Sequence, residues 1–312
     1  MFLAQIAQIA QIDIDMAHFE GEARVNRKIV HRTRGHRGGP IVRLMSPSDL
    51  GERLKPFVFL DLFEADMRGL AGSMPVHPHS GIATVTVITD GDVTFDDPHA
   101  GHGTIGYGGV EWARAGKGMW HGKELSAGTS ATVQGFQLWL ALAPDLEHAD
   151  PETQYLGAAA MPGIGPARLI VGAYAGATSP VRAPGEINYL LITLKPGERW
   201  TYEPPSGHVL AWAALGKGAV LAAGERLSQG ELAMFEKSET PITFEGADAA
   251  GATFVVGSAV PHAYPLHLGS YSVHTSPEAL AAGERHLRAL KQQLDATGDR
   301  RTGSGSTPVF RG

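Results

Sequence analysis

Glycine interrupts this chain too often for long helices to carry the fold. Forty glycines and twenty prolines are spread over 312 residues without a fixed period, and such punctuation marks tight turns between short strands. The segments between them agree. Ile82 to Thr89 reads Ile-Ala-Thr-Val-Thr-Val-Ile-Thr, β-branched and alternating in character, which predicts a strand. Asp90-Gly91-Asp92 supplies a turn, and Val93-Thr94-Phe95 begins the return strand of a hairpin. A loop bearing His99 and His102 is expected to follow. Pro56 to Phe63 is nearly unbroken apolar sequence without helical period and predicts a buried strand; Gly135 to Leu142 predicts another.

The second half repeats this grammar. Val209 to Leu215 is apolar, Gly216-Lys217-Gly218 reads as a turn, and Ala219 to Ala222 reads as the returning strand. Leu227 to Phe235, Pro241 to Phe244 and Ala252 to Val256 continue the series. Short strands at this spacing predict an all-β sandwich or barrel, formed twice. The expected layout is an N-terminal extension (1–20), a first domain (21–150), a linker (151–165), a second domain (166–275), a C-terminal helix (276–297) and a flexible tail (298–312). The helix has its own signals: Ser276 can cap it, Pro277 suits the first turn, and Glu278 favours the positive end of the dipole. Leu280, Leu287, Leu290 and Leu294 fall near one face.

Charge and composition narrow the function. The chain has no cysteine, so any metal must be held by histidine and carboxylate oxygen. The net charge of −6 argues against non-specific hold on a polyanion, and no direct nucleic-acid binding is expected. A local basic stretch (Arg24, Arg27, Lys28, Arg32, Arg34, Arg37) reads either as a partner-binding edge or as charged protection of a strand edge; the acidic total favours the second. No run of 18 apolar residues predicts a membrane span. Met1 to Met16 lacks a basic leading region and carries Asp13 and Asp15, so it does not read as a secretory signal, and a cytoplasmic location is expected.

The chemistry centres on His77-Pro78-His79. In extended backbone, residues i and i+2 share a face, so both imidazoles can converge on one point. Pro78 pushes His77 towards extended geometry. His121 follows 42 residues after His79, beyond a hairpin and a glycine-rich return that could bring it beside the pair. Three histidines meet the common minimum for a transition-metal site with open positions. Glu124 is the nearest carboxylate, three residues beyond His121, and needs a turn to reach the same point. The candidate metal set is His77, His79, His121 and Glu124, with Glu124 also the candidate catalytic proton acceptor. His99 and His102 could rim such a site, Gln137 could line it, and Trp112, Trp120 and Trp139 either stack on an aromatic substrate or fill cores. His208 stands apart from other ligand types, so the second lobe is read as metal-free.

From Pro56 to Tyr155 the chain resembles the pirin family of the cupin superfamily. The motifs that carry the likeness are Pro-Phe-Val-Phe-Leu-Asp-Leu-Phe, His77-Pro-His-Ser-Gly, Thr84-Val-Thr-Val, Gly109-Val-Glu-Trp-Ala-Arg-Ala-Gly-Lys-Gly and Gly135-Phe-Gln-Leu-Trp. It continues more thinly into Phe254-Val-Val-Gly, Pro261 and the C-terminal helix. The resemblance implies two double-stranded β-helix (cupin) barrels packed together, with one divalent metal in the N-terminal lobe: iron first, with Mn, Co, Ni, Cu or Zn as alternatives. It also implies either dioxygenase cleavage of quercetin-type flavonols or non-enzymatic, metal-dependent regulation of a protein partner. The family ligands fall on His77, His79 and His121. The family's fourth ligand, a Glu two residues after the third His, falls on Lys123, with Glu124 one further on. The usual cupin Glu falls on Ala83, and the Arg that commonly follows the second His is Ser80.

Overall fold

The computed structural model describes residues 27–66, 76–122, 124–297 and 309–311. Two antiparallel sheets dominate. The first has seven strands in the order Glu152–Leu156, Val110–Arg114, Ile82–Asp90, Val133–Ala141, Phe57–Ala65, Ile41–Met45 and His36–Gly38. The second has ten strands, with Leu210–Ala222, Ala252–Ala259 and Ile187–Leu194 at its centre. Together they form the two packed cupin barrels of an all-β bicupin.

Period-2 alternation explains how the first sheet serves two cores. Ala83, Val85 and Val87 point to one face, as do Phe136, Leu138 and Leu140 of the neighbouring strand. That face packs against Tyr189, Leu191, Trp212 and Val255 of the second sheet. Phe57 meets Trp212 edge-on across this boundary, with ring centroids 5.4 Å apart at 81°, a geometry worth about 0.5–1.5 kcal/mol beyond the buried area. The intervening residues, including Ile82, Trp139 and Ala141, turn to the opposite face with Phe59, Met119 and Val273. Polar Thr84, Thr86 and Gln137 alternate with the residues that form the inter-sheet core. The continuous apolar runs follow from burial on both sides.

Six expectations need correction. Asp92–Asp97 does not return beside Ile82–Asp90 as a hairpin: it pairs with Gly101–Gly106 and Leu125–Ala127 in a separate three-stranded sheet. Glu152–Leu156, expected in the linker, is the edge strand of the first sheet, paired with Val110–Arg114. Gly216-Lys217-Gly218 does not turn the chain: Leu210–Ala222 is one long strand with a register shift between Leu215 and Lys217. The bulge bends the strand, so that its first part pairs with Leu232–Phe235 and its last part with Glu225–Ser228 and Ile242–Gly246. His102 is not in a loop but on the strand Gly101–Gly106, opposite Asp96. Ile29–Thr33, expected in the first lobe, pairs with Leu232–Phe235 at the edge of the second sheet. The tail expected to be flexible includes Val309–Phe310, which pair with His121 and Trp120. The segments 1–26 and 298–308 lie outside the described residues.

The Ile29–Thr33 pairing also accounts for three of the six residues of the basic stretch. Arg27 is buried and donates from Nε to the Glu236 carbonyl at 2.6 Å and from Nη2 to that of Val209. Arg32 pairs with Glu225 and Glu231, and Arg34 with Glu231. Arg24 lies outside the described residues.

The C-terminal helix Pro277–Thr297 starts as its sequence predicts, with the Ala279 N–H donating to Ser276 Oγ at 3.1 Å. No helix among the described residues is long and apolar enough to cross a membrane. Just past the bulge, Gly218 has φ +71°, and a Cβ there would stand 2.0 Å from the Gly251 carbonyl oxygen. Gly218→Ala should therefore cost about 2 kcal/mol or more, read as a lower urea midpoint by tryptophan fluorescence; an unchanged midpoint would show that this strand position tolerates a side chain.

Candidate metal centre

His77–His79 forms a three-residue strand paired antiparallel with Met119–His121, and His121 lies directly opposite His77. Alternation along one strand and opposition across the pair therefore bring His77, His79 and His121 to one face. The imidazole centroids form a near-equilateral triangle with sides of 5.0, 4.6 and 4.9 Å. One nitrogen from each ring lies within 4.8 Å of the other two. His79 and His121 are 2% and 4% exposed, and His77 is half-buried.

The outward nitrogens are held. His79 Nδ1 donates to the Tyr271 carbonyl at 2.9 Å, and His121 Nδ1 donates to Glu124 Oε1 at 2.7 Å. Carbonyl and carboxylate oxygens accept here, so Nδ1 carries the proton and Nε2 turns inward. Both Nε2 atoms are buried without a hydrogen-bond partner. Two such orphans beside one another are costly to bury unless something binds them. Burial, followed by the neighbouring His121 and His77, pushes His79 well below the usual imidazole range. Burial acts the same way on His121, but the charge and hydrogen bond of Glu124 prevail and raise it.

The structure brings Glu124 to His121, but behind it. Its second oxygen accepts the Gly122 N–H at 2.7 Å, so the turn at Gly122 aims the carboxylate at the Nδ1 side of His121. The same imidazole neighbours buried Glu111, which with Glu124 and His121 makes a second group of potential ligands. Burial and the nearby Glu124 push the Glu111 carboxyl up to about 7, and Tyr155 donates its hydroxyl to it at 3.4 Å. Lys123 lies outside the described residues. Ala83 faces the core between the sheets, so no carboxylate could enter the site from that position.

The remaining candidates separate clearly. Trp139 stands edge-on to His79 at 4.9 Å and stacks on Phe59 at 4.0 Å and 9°, giving the site an aromatic wall. Trp112 fills the inter-sheet core, and Trp120 Nε1 donates to the Leu287 carbonyl under the C-terminal helix. Gln137 sits opposite Asp61 and Thr86, two residues from Trp139. His99 and His102 join no potential ligand group among the described residues. His208 Nδ1 lies 2.9 Å from Ser258 Oγ.

Sequence reasoning missed Tyr271, Glu111 and a buried chain beside the triad. Ser80 Oγ lies 2.9 Å from Ser272 Oγ and 3.0 Å from His274 Nε2, and His274 Nδ1 lies 3.0 Å from Glu147 Oε2. Glu147 also accepts the Thr275 N–H and hydroxyl. The Ser-His-Glu order is that of an acyl-transfer triad, but no substrate can enter. Helix residue Gly283 passes so close that a Cβ would stand 2.5 Å from His274 Nε2 and 2.8 Å from Ser80 Oγ. The chain is a buried lock between the end of the His77–His79 strand and the C-terminal hairpin. Two of these residues had a sequence signal: Ser80 as a departure from the family pattern, and Glu111 as part of the Gly109-Val-Glu-Trp motif.

Comparison with known proteins agrees with this geometry. Residues 32–140 match the sequence profile described as Pirin. A pirin-like protein of Solanum lycopersicum is 32% identical over 242 residues, which cover 70% of this chain and 79% of the relative. A solved structure of quercetin 2,3-dioxygenase from Acinetobacter baumannii superposes with a TM-score of 0.72 at 23% identity, covering 85% of this chain and 98% of that one. The bacterial pirin YhhW of Escherichia coli, solved in complex with nickel(II), superposes with a TM-score of 0.56 at 16% identity, covering 76% and 98%. With two cupin barrels, a converging histidine triad and these relatives, the chain belongs to the pirin family.

Proposed function

We propose that the chain binds one divalent transition metal through His77, His79 and His121 and acts as a dioxygenase that opens quercetin-type flavonols. The observation that carries the metal reading is the pair of buried, unpartnered Nε2 atoms whose rings are fixed from behind. Backing of this kind orients histidine ligands and raises their basicity. Neutral imidazole suits iron, manganese, cobalt, nickel, copper or zinc, and iron is the proposed ion. The nickel(II) complex of the E. coli fold neighbour supports a metal in this fold, and the quercetin 2,3-dioxygenase neighbour supports the substrate class.

A bound ion supplies Lewis acidity towards a ligated hydroxyl. The chain's own groups do the rest. Glu124 holds the proton on His121 Nδ1 and keeps that ring turned inward. It thereby becomes a positioning residue instead of the ligand and proton acceptor read from the sequence. The Tyr271 carbonyl does the same for His79. Trp139 and Phe59 present a flat apolar wall that suits a planar aromatic substrate and excludes water. The regulatory alternative rested partly on the basic stretch, three of whose five described members, Arg27, Arg32 and Arg34, are engaged by the chain's own groups; the enzyme reading is therefore preferred.

Elemental analysis of the purified protein should find about one transition metal per chain, and His79→Ala should lose it. Aerobic incubation of the iron-loaded protein with quercetin should bleach the flavonol absorbance, while anaerobic incubation should not. Loss that is independent of oxygen, or no loss, would sink the dioxygenase reading. Glu124→Gln should weaken metal affinity by about 10–100-fold while leaving the stoichiometry at saturation unchanged, measured by competition with a chromophoric chelator. Complete loss of binding would instead make Glu124 a direct ligand.

A further inference from the structure

Tyr271 occupies the second position of the two-residue turn joining His267–Gly269 to Ser272–His274. Its φ is +60°, a left-handed conformation that turns normally give to glycine or asparagine. A tyrosine here is a poor choice for the turn alone. Strained residues persist where the surroundings over-determine them, and they cluster at functional sites. Here the surroundings do so: Ser272, one residue on, is tied to Ser80, and His274 to Ser80 and Glu147. The hairpin is thus fixed to the residue that follows His79.

Held in this way, Tyr271 meets the triad twice. Its carbonyl accepts from His79 Nδ1 at 2.9 Å. Its ring is centred 5.7 Å from that of His77, inclined at 45°, and 6.0 Å from that of His79, inclined at 72°. Despite these contacts the residue is 53% exposed. A large aromatic side chain left half in water, beside the half-buried member of the triad, stands at the site's outer rim. A glycine at this position would keep the carbonyl and relax the turn, so the carbonyl does not account for the side chain.

We propose that Tyr271 is the specificity-determining residue of this centre, its ring forming one wall of the entrance and stacking on a planar aromatic ligand that reaches the ion through adjacent oxygen atoms. This rests on the metal reading above and deepens it, because it assigns ligand selection to the C-terminal hairpin, outside the segment that carries the metal-binding motifs. Binding of 4-nitrocatechol to the nickel-loaded protein, followed by its visible absorbance, tests the idea without turnover. In the nickel-loaded Tyr271→Gly protein, 4-nitrocatechol binding should weaken about tenfold relative to azide binding by the same protein. Tyr271→Phe, which retains the ring, should stay near the wild type. Unchanged 4-nitrocatechol affinity in Tyr271→Gly would overturn the proposal and leave the metal reading intact. Loss of nickel and azide binding in that variant would also overturn it, by showing a purely structural role. A wild-type protein that takes up nickel but no 4-nitrocatechol would refute the aromatic-ligand proposal alone, and one that takes up no nickel would refute the metal reading and this inference together.

Discussion

Everything at the candidate centre depends on the register between two three-residue strands. His121 faces His77 because Trp120 pairs with Pro78 and Met119 with His79. A slip of one residue would turn His121 to the opposite face and leave a two-histidine site. Strands this short cannot fix their own register. They are held from outside, by Val309–Phe310 on one edge and by the turn and hydrogen bonds around Gly81 and Gly116 at the strand ends. The candidate centre is therefore a property of the assembled barrel.

The same logic explains the outer ring of contacts. An imidazole offers two nitrogens, and a site that uses one must occupy the other or lose control of the ring. Here one outer partner is local, Glu124 three residues from His121. The other is remote, a carbonyl 192 residues from His79. The local partner was visible as a nearby carboxylate, though its role was not. The remote one carries no side-chain signature, because any residue supplies a carbonyl.

That difference marks what could be read from the sequence. The strands Phe57–Ala65, Ile82–Asp90 and Val133–Ala141 were legible because β-branched and apolar residues alternate or run together between turn signals. The histidine pair was legible because i and i+2 share a face in any strand. The Gly216-Lys217-Gly218 bulge was misread because glycine marks turns and bulges alike. The Ser80–His274–Glu147 lock was invisible because its members lie far apart and two of them matched no motif. Tyr271 was invisible for a further reason: its unusual feature is a backbone angle.

The edge strand Ile29–Thr33 has a consequence for synthesis. Arg32 and its partner Glu231 are 199 residues apart, so this strand leaves the ribosome long before the sheet it completes. At about 5–20 residues per second the wait is roughly 10–40 s. During it, an unpaired strand must avoid joining another chain, and positive charge on such an edge is a common protection. Arg32 and Arg34 would thus serve twice, first as solvated charges that keep the waiting segment apart from its neighbours, then as the ion pairs that seat it once Glu225 and Glu231 arrive. The second lobe can close its edge only with a piece of chain made before the first lobe's histidine-bearing strands, which ties completion of the two halves into one late event.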